Sequence, residues 1–298
     1  MASERSLAPA TNALEGVRRP RRWAEHGVTA LMLAPALIYL LIFFAYPLLV
    51  TFLTSITAAN GTDYSLAEYS AVFTTSTYLL SLELTFGLAL GTTLLSVLLA
   101  VPIALVLRRR PRGHHLMRLL ILTPLMVLAL ISALGLLIIW GKNGWLNILV
   151  SHLIPGSGPL KIDFTLQGLL LFYTWLYAPY TILTTLSAIE GLDTNVEEAA
   201  RVSGASEWQV FRTVTLPLSW PGIRAGSLLT FLLAFGAFNV PLVAGGDLRP
   251  LAVVIYTEAE TFQHFARGSS LAIVMAVISL AVMLVYQRLA GSQAGKRT

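Results

Sequence analysis

Few side chains in this 298-residue chain stand where an apolar setting would make their chemistry matter. Glu83 lies in the apolar run 79–107, Trp175, Tyr177 and Tyr180 cluster in the run 166–189, and Phe238-Asn239 sits beside Pro241 in the run 222–243. A carboxylate so placed either faces a water-filled cavity, where it attracts a cation, or touches headgroup water at the end of its helix. Aromatic faces either cradle an ammonium group by cation–π attraction or simply pack between helices. The Asn239 amide needs a partner, and a helix-to-helix hydrogen bond is the plain solution. Bond-making chemistry has no comparable candidates. Cysteine is absent, and the five histidines (His26, His114, His115, His152, His264) all fall outside the long apolar runs, with no HExxH pairing. The stretch from Gly291 to Arg297 is a near miss of a phosphate-binding loop, with the wrong spacing and Arg297 where a Ser or Thr would hold Mg²⁺. No catalytic residue, metal or cofactor is therefore expected of this chain, and any ATP and Mg²⁺ would have to be bound elsewhere.

The elements that must position these groups are membrane helices. Hydrophobic residues make up 56% of the chain and charged ones 12%, half the charged share of a soluble domain. A bilayer core takes about 20 apolar residues as a helix. Six runs qualify: 29–53, 79–107, 119–140, 166–189, 222–243 and 271–289. The expected fold is an all-α integral membrane protein, with tails at 1–28 and 290–298 around a membrane domain at 29–289. The prolines inside these runs are tolerable where neighbouring helices satisfy the freed backbone groups. Gly87 and Gly91 form a GxxxG stripe that permits close helix approach. Of the 20 lysines and arginines, 16 fall on one side of this arrangement; only Lys142, Lys161, Arg249 and Arg267 fall on the other. The positive-inside rule then places both termini in the cytoplasm. It also turns the net charge of +5 into a topology signal, so a lipid bilayer is the expected partner and nucleic acid is not. On the outer side, seven acidic residues (Asp63, Glu68, Glu83, Asp163, Asp247, Glu258, Glu260) exceed the four basic ones. That balance suits a cationic substrate or a basic docking partner. The apolar piece 251–256 is too short to span and reads as a re-entrant or gate element.

One polar segment interrupts this pattern. The cytoplasmic loop at 190–221 carries its own helix signals. Thr194 and Glu197 read as a capping box, and the helix they open runs through Glu198, Ala199 and Ala200 to about Ser203. Gly204 is the natural stop, because it takes the left-handed conformation without steric cost. Ser206 and Gln209 form a second capping box, and the pairs Leu216-Pro217 and Trp220-Pro221 are expected to end that second helix and restart the chain as the fifth span. Two short helices thus meet at a glycine elbow. They fit a groove on a partner, with Ala199 and Ala200 allowing close approach; an interfacial pair lying on the membrane would carry the same signals.

The pattern Glu198-Ala199-Ala200, Gly204, then Val214-Thr215-Leu216-Pro217 resembles the EAA loop of binding-protein-dependent ABC importer permeases, with Val214 as its one departure, for isoleucine. The resemblance runs from the first span to Leu289. It implies the type I importer fold and a coupling helix seated in a cleft of a cytoplasmic ABC ATPase dimer. It also implies a second permease subunit, expected to differ from this one, and an extracytoplasmic substrate-binding protein. The expected location is the bacterial inner membrane. "GKNGWLN" at 141–147 and "FARGSSLAIVMAVISL" at 265–280 look like spermidine/putrescine permeases, a style shared with ferric-iron, thiamine and phosphonate permeases. A self-sufficient secondary transporter or channel is the rival, but it would want internal repeats or ionisable relays in mid-membrane. A membrane-embedded enzyme would want clustered reactive groups at one depth. The spans show neither.

Overall fold

The computed structural model describes residues 22–58, 63–153 and 160–294. The expected N-terminal tail lies outside the described residues up to position 21, and the expected C-terminal tail from position 295. Among the described residues, six helical stretches are long and apolar enough to cross a membrane: Leu31–Ser55, Ser76–Arg108, Ala129–Leu153, Leu166–Glu190, Glu207–Phe235 and Phe265–Arg288. Helix dominates because a chain in lipid must satisfy its backbone groups within each segment.

The chain divides into two compact units at residue 51. The first holds α1 (Arg22–Leu40) and most of α2 (Tyr46–Ser55). Between them the hydrogen-bond ladder widens over Leu41–Ala45, with the Tyr46 N–H reaching Leu41. Pro47 follows directly, and the wider turn relieves the clash its ring would make with the carbonyl four residues back. From Leu31 to Leu49 the large apolar side chains point outward all round, as a helix does when lipid or another protein is its solvent.

The second unit is built on α4 (Ser76–Arg108), α8 (Leu166–Glu190) and α11 (Leu216–Phe235), which pack on one another along much of their lengths. A short helix, α3 (Ala67–Thr74), leads into α4. Leu88, Leu169, Phe172, Tyr173, Phe231 and Phe235 fill the core between the three long helices. Close approach of α8 and α11 comes from Gly222 and Gly226, a second GxxxG pair. A Cβ at Gly226 would lie 2.8 Å from the Thr181 Cα and on the Thr184 side chain. A Cβ at Gly222 would press on Ala188, with the Thr184 carbonyl at 2.9 Å. The expected stripe behaves otherwise: Gly91 abuts only the flexible end of Leu170, and Gly87 opens into space. Beside Gly226, the Thr181 and Thr230 hydroxyls hydrogen-bond at 2.7 Å, fully buried. Such interhelical bonds contribute about 0.6 kcal/mol on average.

Two expected spans are interrupted. The run 119–140 is two helices, α5 (His114–Met126) and α6 (Ala129–Trp140), with extended backbone at Val127 and Leu128. The break lets the halves pack on different neighbours: α5 lies against α8 and α4, while α6 seats Ala133 in the core near α8. After α6 a turn leads to α7 (Trp145–Leu153). The run 222–243 also breaks, because α11 ends at Phe235 and a turn at Gly236–Phe238 precedes α12 (Asn239–Ala244), which packs against α6. The short apolar piece is α13 (Leu251–Tyr256), with Leu251, Val253 and Val254 buried. Its first N–H donates to the Thr85 hydroxyl of α4 at 2.8 Å. The last helix, α14 (Phe265–Ala294), packs on α13 through Leu271 and Val274.

Gly226→Val should force α8 and α11 apart at a dry contact, at a cost of about 1–3 kcal/mol. Gly87→Val, which meets open space, should leave the apparent melting temperature in detergent unchanged while Gly226→Val lowers it.

Candidate coupling and translocation sites

The polar segment folds into α9 (Thr194–Val202) and α10 (Glu207–Val210). Its N-cap is Asp193 and not the expected Thr194: the Asp193 carboxylate accepts from the Asn195 N–H at 2.9 Å. Glu197 consequently does not reach back to close a capping box. It turns inward, 5% exposed, where Arg108 Nη1 of α4 donates to it at 2.7 Å and the Thr215 hydroxyl at 2.6 Å. A charged partner and a hydroxyl inside a nearly dry site outcompete one backbone N–H in water.

The exit from α9 is a complete Schellman turn. Gly204 has φ +86°, its N–H reaches the Arg201 carbonyl at 2.9 Å, and the Ala205 N–H reaches the Ala200 carbonyl at 3.1 Å. The expected second capping box is present: Gln209 accepts from the Ser206 N–H at 2.7 Å, and the Gln209 N–H meets the Ser206 hydroxyl at 3.4 Å. Arg201 spans the elbow to Glu207, Nε to Oε1 at 2.7 Å. The expected stop at Leu216-Pro217 and Trp220-Pro221 does not occur. The helix runs from Glu207 to Phe235, widening at Phe211–Thr215 just before Pro217, the device already seen before Pro47. The loop's second arm is thus the start of the fifth span, continuous with it from Glu207 to Phe235.

The outward face of this pair is unpartnered. Glu198 and Ala199 are exposed, Val202 is 89% exposed and Trp208 66%, while Ala200 and Leu216 are half-buried and Pro217 is exposed. An apolar tip ringed by polar groups is the form of a docking surface. Burial pushes the Glu197 carboxyl up, but hydrogen bonds from Arg108 and Thr215, with the charges of Arg108 and Arg201, outweigh it and hold its pKa below the ordinary value. Sequence reasoning missed the Arg108–Glu197–Thr215 tie. Arg108 counted as a topology charge and Glu197 as a cap, and nothing local marks residues 89 positions apart as neighbours.

Glu83 lies 25 residues before Arg108 on α4, roughly 37 Å away at the helical rise. It lines a cavity of about 680 Å³ with Tyr78, Ser81, Asp247, Arg249 and Glu258. Glu258, nearly buried, accepts from the Tyr78 hydroxyl at 2.7 Å and pairs with His264 Nδ1 at 3.0 Å. The expected aromatic cluster is not drawn together in this cavity. Trp175 points outward, and Tyr177 is half-buried against the core, edge-on to Tyr173 at 5.7 Å. Residues two apart on a helix diverge by about 200°, so Trp175 and Tyr177 face opposite ways. Tyr180 is half-buried. Phe238 is half-buried and packs on Tyr256 at 5.1 Å, and Asn239 is exposed at the first turn of α12.

Helices long and apolar enough to cross a membrane, a helix elbow beside the Arg108 end of α4 and a cavity with several charged groups near its other end have the layout of a membrane transport subunit. The chain belongs to the binding-protein-dependent transport system inner membrane component family, whose pattern matches residues 90–293. Over 198 residues it is 33% identical to the spermidine/putrescine transport system permease protein PotB of Haemophilus influenzae, covering 66% of this chain and 69% of that protein. Over 226 residues it is 32% identical to the molybdenum transport system permease protein ModB of Mycobacterium tuberculosis, covering 74% and 83%. In fold it resembles a chain of a bacterial ABC transporter involved in the import of the acidic polysaccharide alginate, with a TM-score of 0.75 and 17% identity, covering 91% of this chain and 99% of that one. A chain of the methionine ABC transporter MetNI aligns with a TM-score of 0.51 and 15% identity, covering 70% and 92%.

Arg108→Ala strands a nearly buried carboxylate and should loosen α9 by about 1–3 kcal/mol; proteolysis at the elbow should accelerate accordingly. Because the Glu197 pKa is lowered on folding, the tie is complete above the ordinary carboxyl value of about 4.3 and is lost as pH falls through the lower folded value. Trp208 fluorescence should report that transition below pH 4.3, and Arg108→Gln should move it upward. Gly204→Ala meets no atoms within 4 Å, so its cost is backbone strain alone, about 1–2 kcal/mol.

Proposed function

We propose that this ABC importer permease subunit moves a small organic cation of the polyamine class, using the work of a separate ATPase dimer that receives α9. The observation that carries the coupling role is the elbow itself. Its outward face, with Glu198, Ala199 and Val202, is free to dock, while Glu197 ties its inward face to α4 and to the helix that becomes the fifth span. ATP closes the partner dimer, the elbow is carried with it, and the spans tilt between states open to either side. Such transmission requires each ligand to bind the two states with different affinity, commonly by about 1–3 kcal/mol. In this scheme both termini and the elbow are cytoplasmic, a substrate-binding protein docks on the opposite side, and a second, different permease subunit completes the path.

The cation assignment is supported by the likeness to PotB and by Glu83, Asp247 and Glu258 around a cavity whose one basic residue is Arg249. The ModB likeness sets a molybdenum permease against it, which makes the cavity the deciding element. The test is to purify the chain with its native partners and follow ATPase activity with putrescine, spermidine, ferric iron, thiamine or molybdate. Stimulation by the polyamines, lost on mutating Glu198 and Gly204, is the expected result. Stimulation by another ligand overturns the substrate class, and a partner-free chain that moves solute in liposomes overturns the coupling role. Within the cavity, Glu83→Gln should raise KM for a polyamine on the order of tenfold, about 1.4 kcal/mol, with kcat nearly unchanged.

A further inference from the structure

A second polar feature belongs neither to the elbow nor to the Glu83 cavity. At the Arg108 end of α4, a cavity of about 420 Å³ is lined by Arg110, His114, His115 and Arg118, with Leu107, Leu186 and Glu190. A neighbouring cavity of about 280 Å³ shares Arg118, Leu186 and Glu190 and continues between α5 and α8 past Leu122 and Leu183. Together they form one groove, basic where α5 begins and leucine-walled toward the middle of the span. We propose that this groove binds an anionic phospholipid, its phosphate among Arg110, His114, His115 and Arg118 and an acyl chain along Leu122, Leu183 and Leu186.

Three independent features agree. The polarity gradient along the groove matches the lipid's own, and basic pockets between membrane helices are a recurrent mode of anionic headgroup binding. The backbone before α5 leaves donors for an anion: Gly113, at φ +86°, gives α5 no side-chain cap, and although the His114 N–H donates to the Pro111 carbonyl, the next two N–H groups of the first turn have no side chain to receive them. Arg110 is held at φ +47°, a conformation costly for a residue with a Cβ, in the turn that delivers the basic residues to α5. Finally, Leu116, Leu119, Leu120 and Met126 of α5 are exposed, so the helix that forms one wall of the groove carries apolar surface suited to lipid contact. Glu190, exposed at the rim, is the one acidic residue lining it and leaves a positive balance.

The full chain in mild detergent, titrated with phosphatidylglycerol, phosphatidylcholine of the same acyl chains, or inorganic phosphate, tests this by native mass spectrometry. Expected is at least tenfold tighter binding of phosphatidylglycerol than of phosphatidylcholine, and weak binding of inorganic phosphate. The preference should vanish in the double variant Arg110→Gln/Arg118→Gln and persist in Arg112→Gln, whose side chain does not line the groove. Leu183→Trp, which fills the apolar end, should weaken both lipids. Equal binding of the two lipids by the unmutated chain overturns the proposal without recourse to any variant. Inorganic phosphate binding as tightly as phosphatidylglycerol overturns the lipid assignment, as does a preference untouched in the double variant.

Discussion

A carboxylate withdrawn from water must find countercharge and donors within reach, and Glu197 finds both only if α9 lies against the end of α4 and the turn before α11. That requirement holds the elbow to the bundle. Without it, α9 is a nine-residue helix, too short to persist on its own, with two good caps and little apolar surface to bury. With it, the helix is held against the bundle on one face while its other face stays exposed. The tie also reaches both long helices at once, since Arg108 ends α4 and Thr215 closes the widened turn that opens into α11.

Rigidity farther in comes from the same three helices. Gly222 and Gly226 bring the α8 and α11 backbones together, and the Thr181–Thr230 bond locks that contact where no water competes. The helix that begins at Glu207 runs without a break into this closely packed seam, and packed seams in general switch between discrete arrangements more readily than they bend. The break at Val127-Leu128 falls between α5 and α6, outside the three long helices, whereas the break at Gly236–Phe238 ends α11 and sets Ala237 into the same core as Leu88 and Leu169.

Much was legible from residue order alone. Six apolar runs, the positive Gly204 conformation and the Ser206–Gln209 box follow from rules that act within about 20 residues, and the EAA-type spacing led to the family later shown by comparison. Where the expectations failed, the cause was a distant partner in one case and helix geometry in the others. Thr194 lost the cap to its neighbour Asp193 once Glu197 was drawn to Arg108. Pro217 and Pro221 did not end the helix, because a widened turn absorbs the first at small cost. Trp175 and Tyr177 are only two residues apart in sequence yet face opposite ways on α8.

Hydropathy, capping and glycine placement are local properties, so the chain's amino-acid order was enough to establish a six-span helical membrane protein with a polar elbow before the fifth span. Which carboxylates face a charge, a cavity or open space was not available at that level. Arg108 meets Glu197 across 89 positions, and Glu83 meets Glu258 at a cavity wall across 175. Such encounters depend on how long helices cross and where they break, and packing between helices sets both.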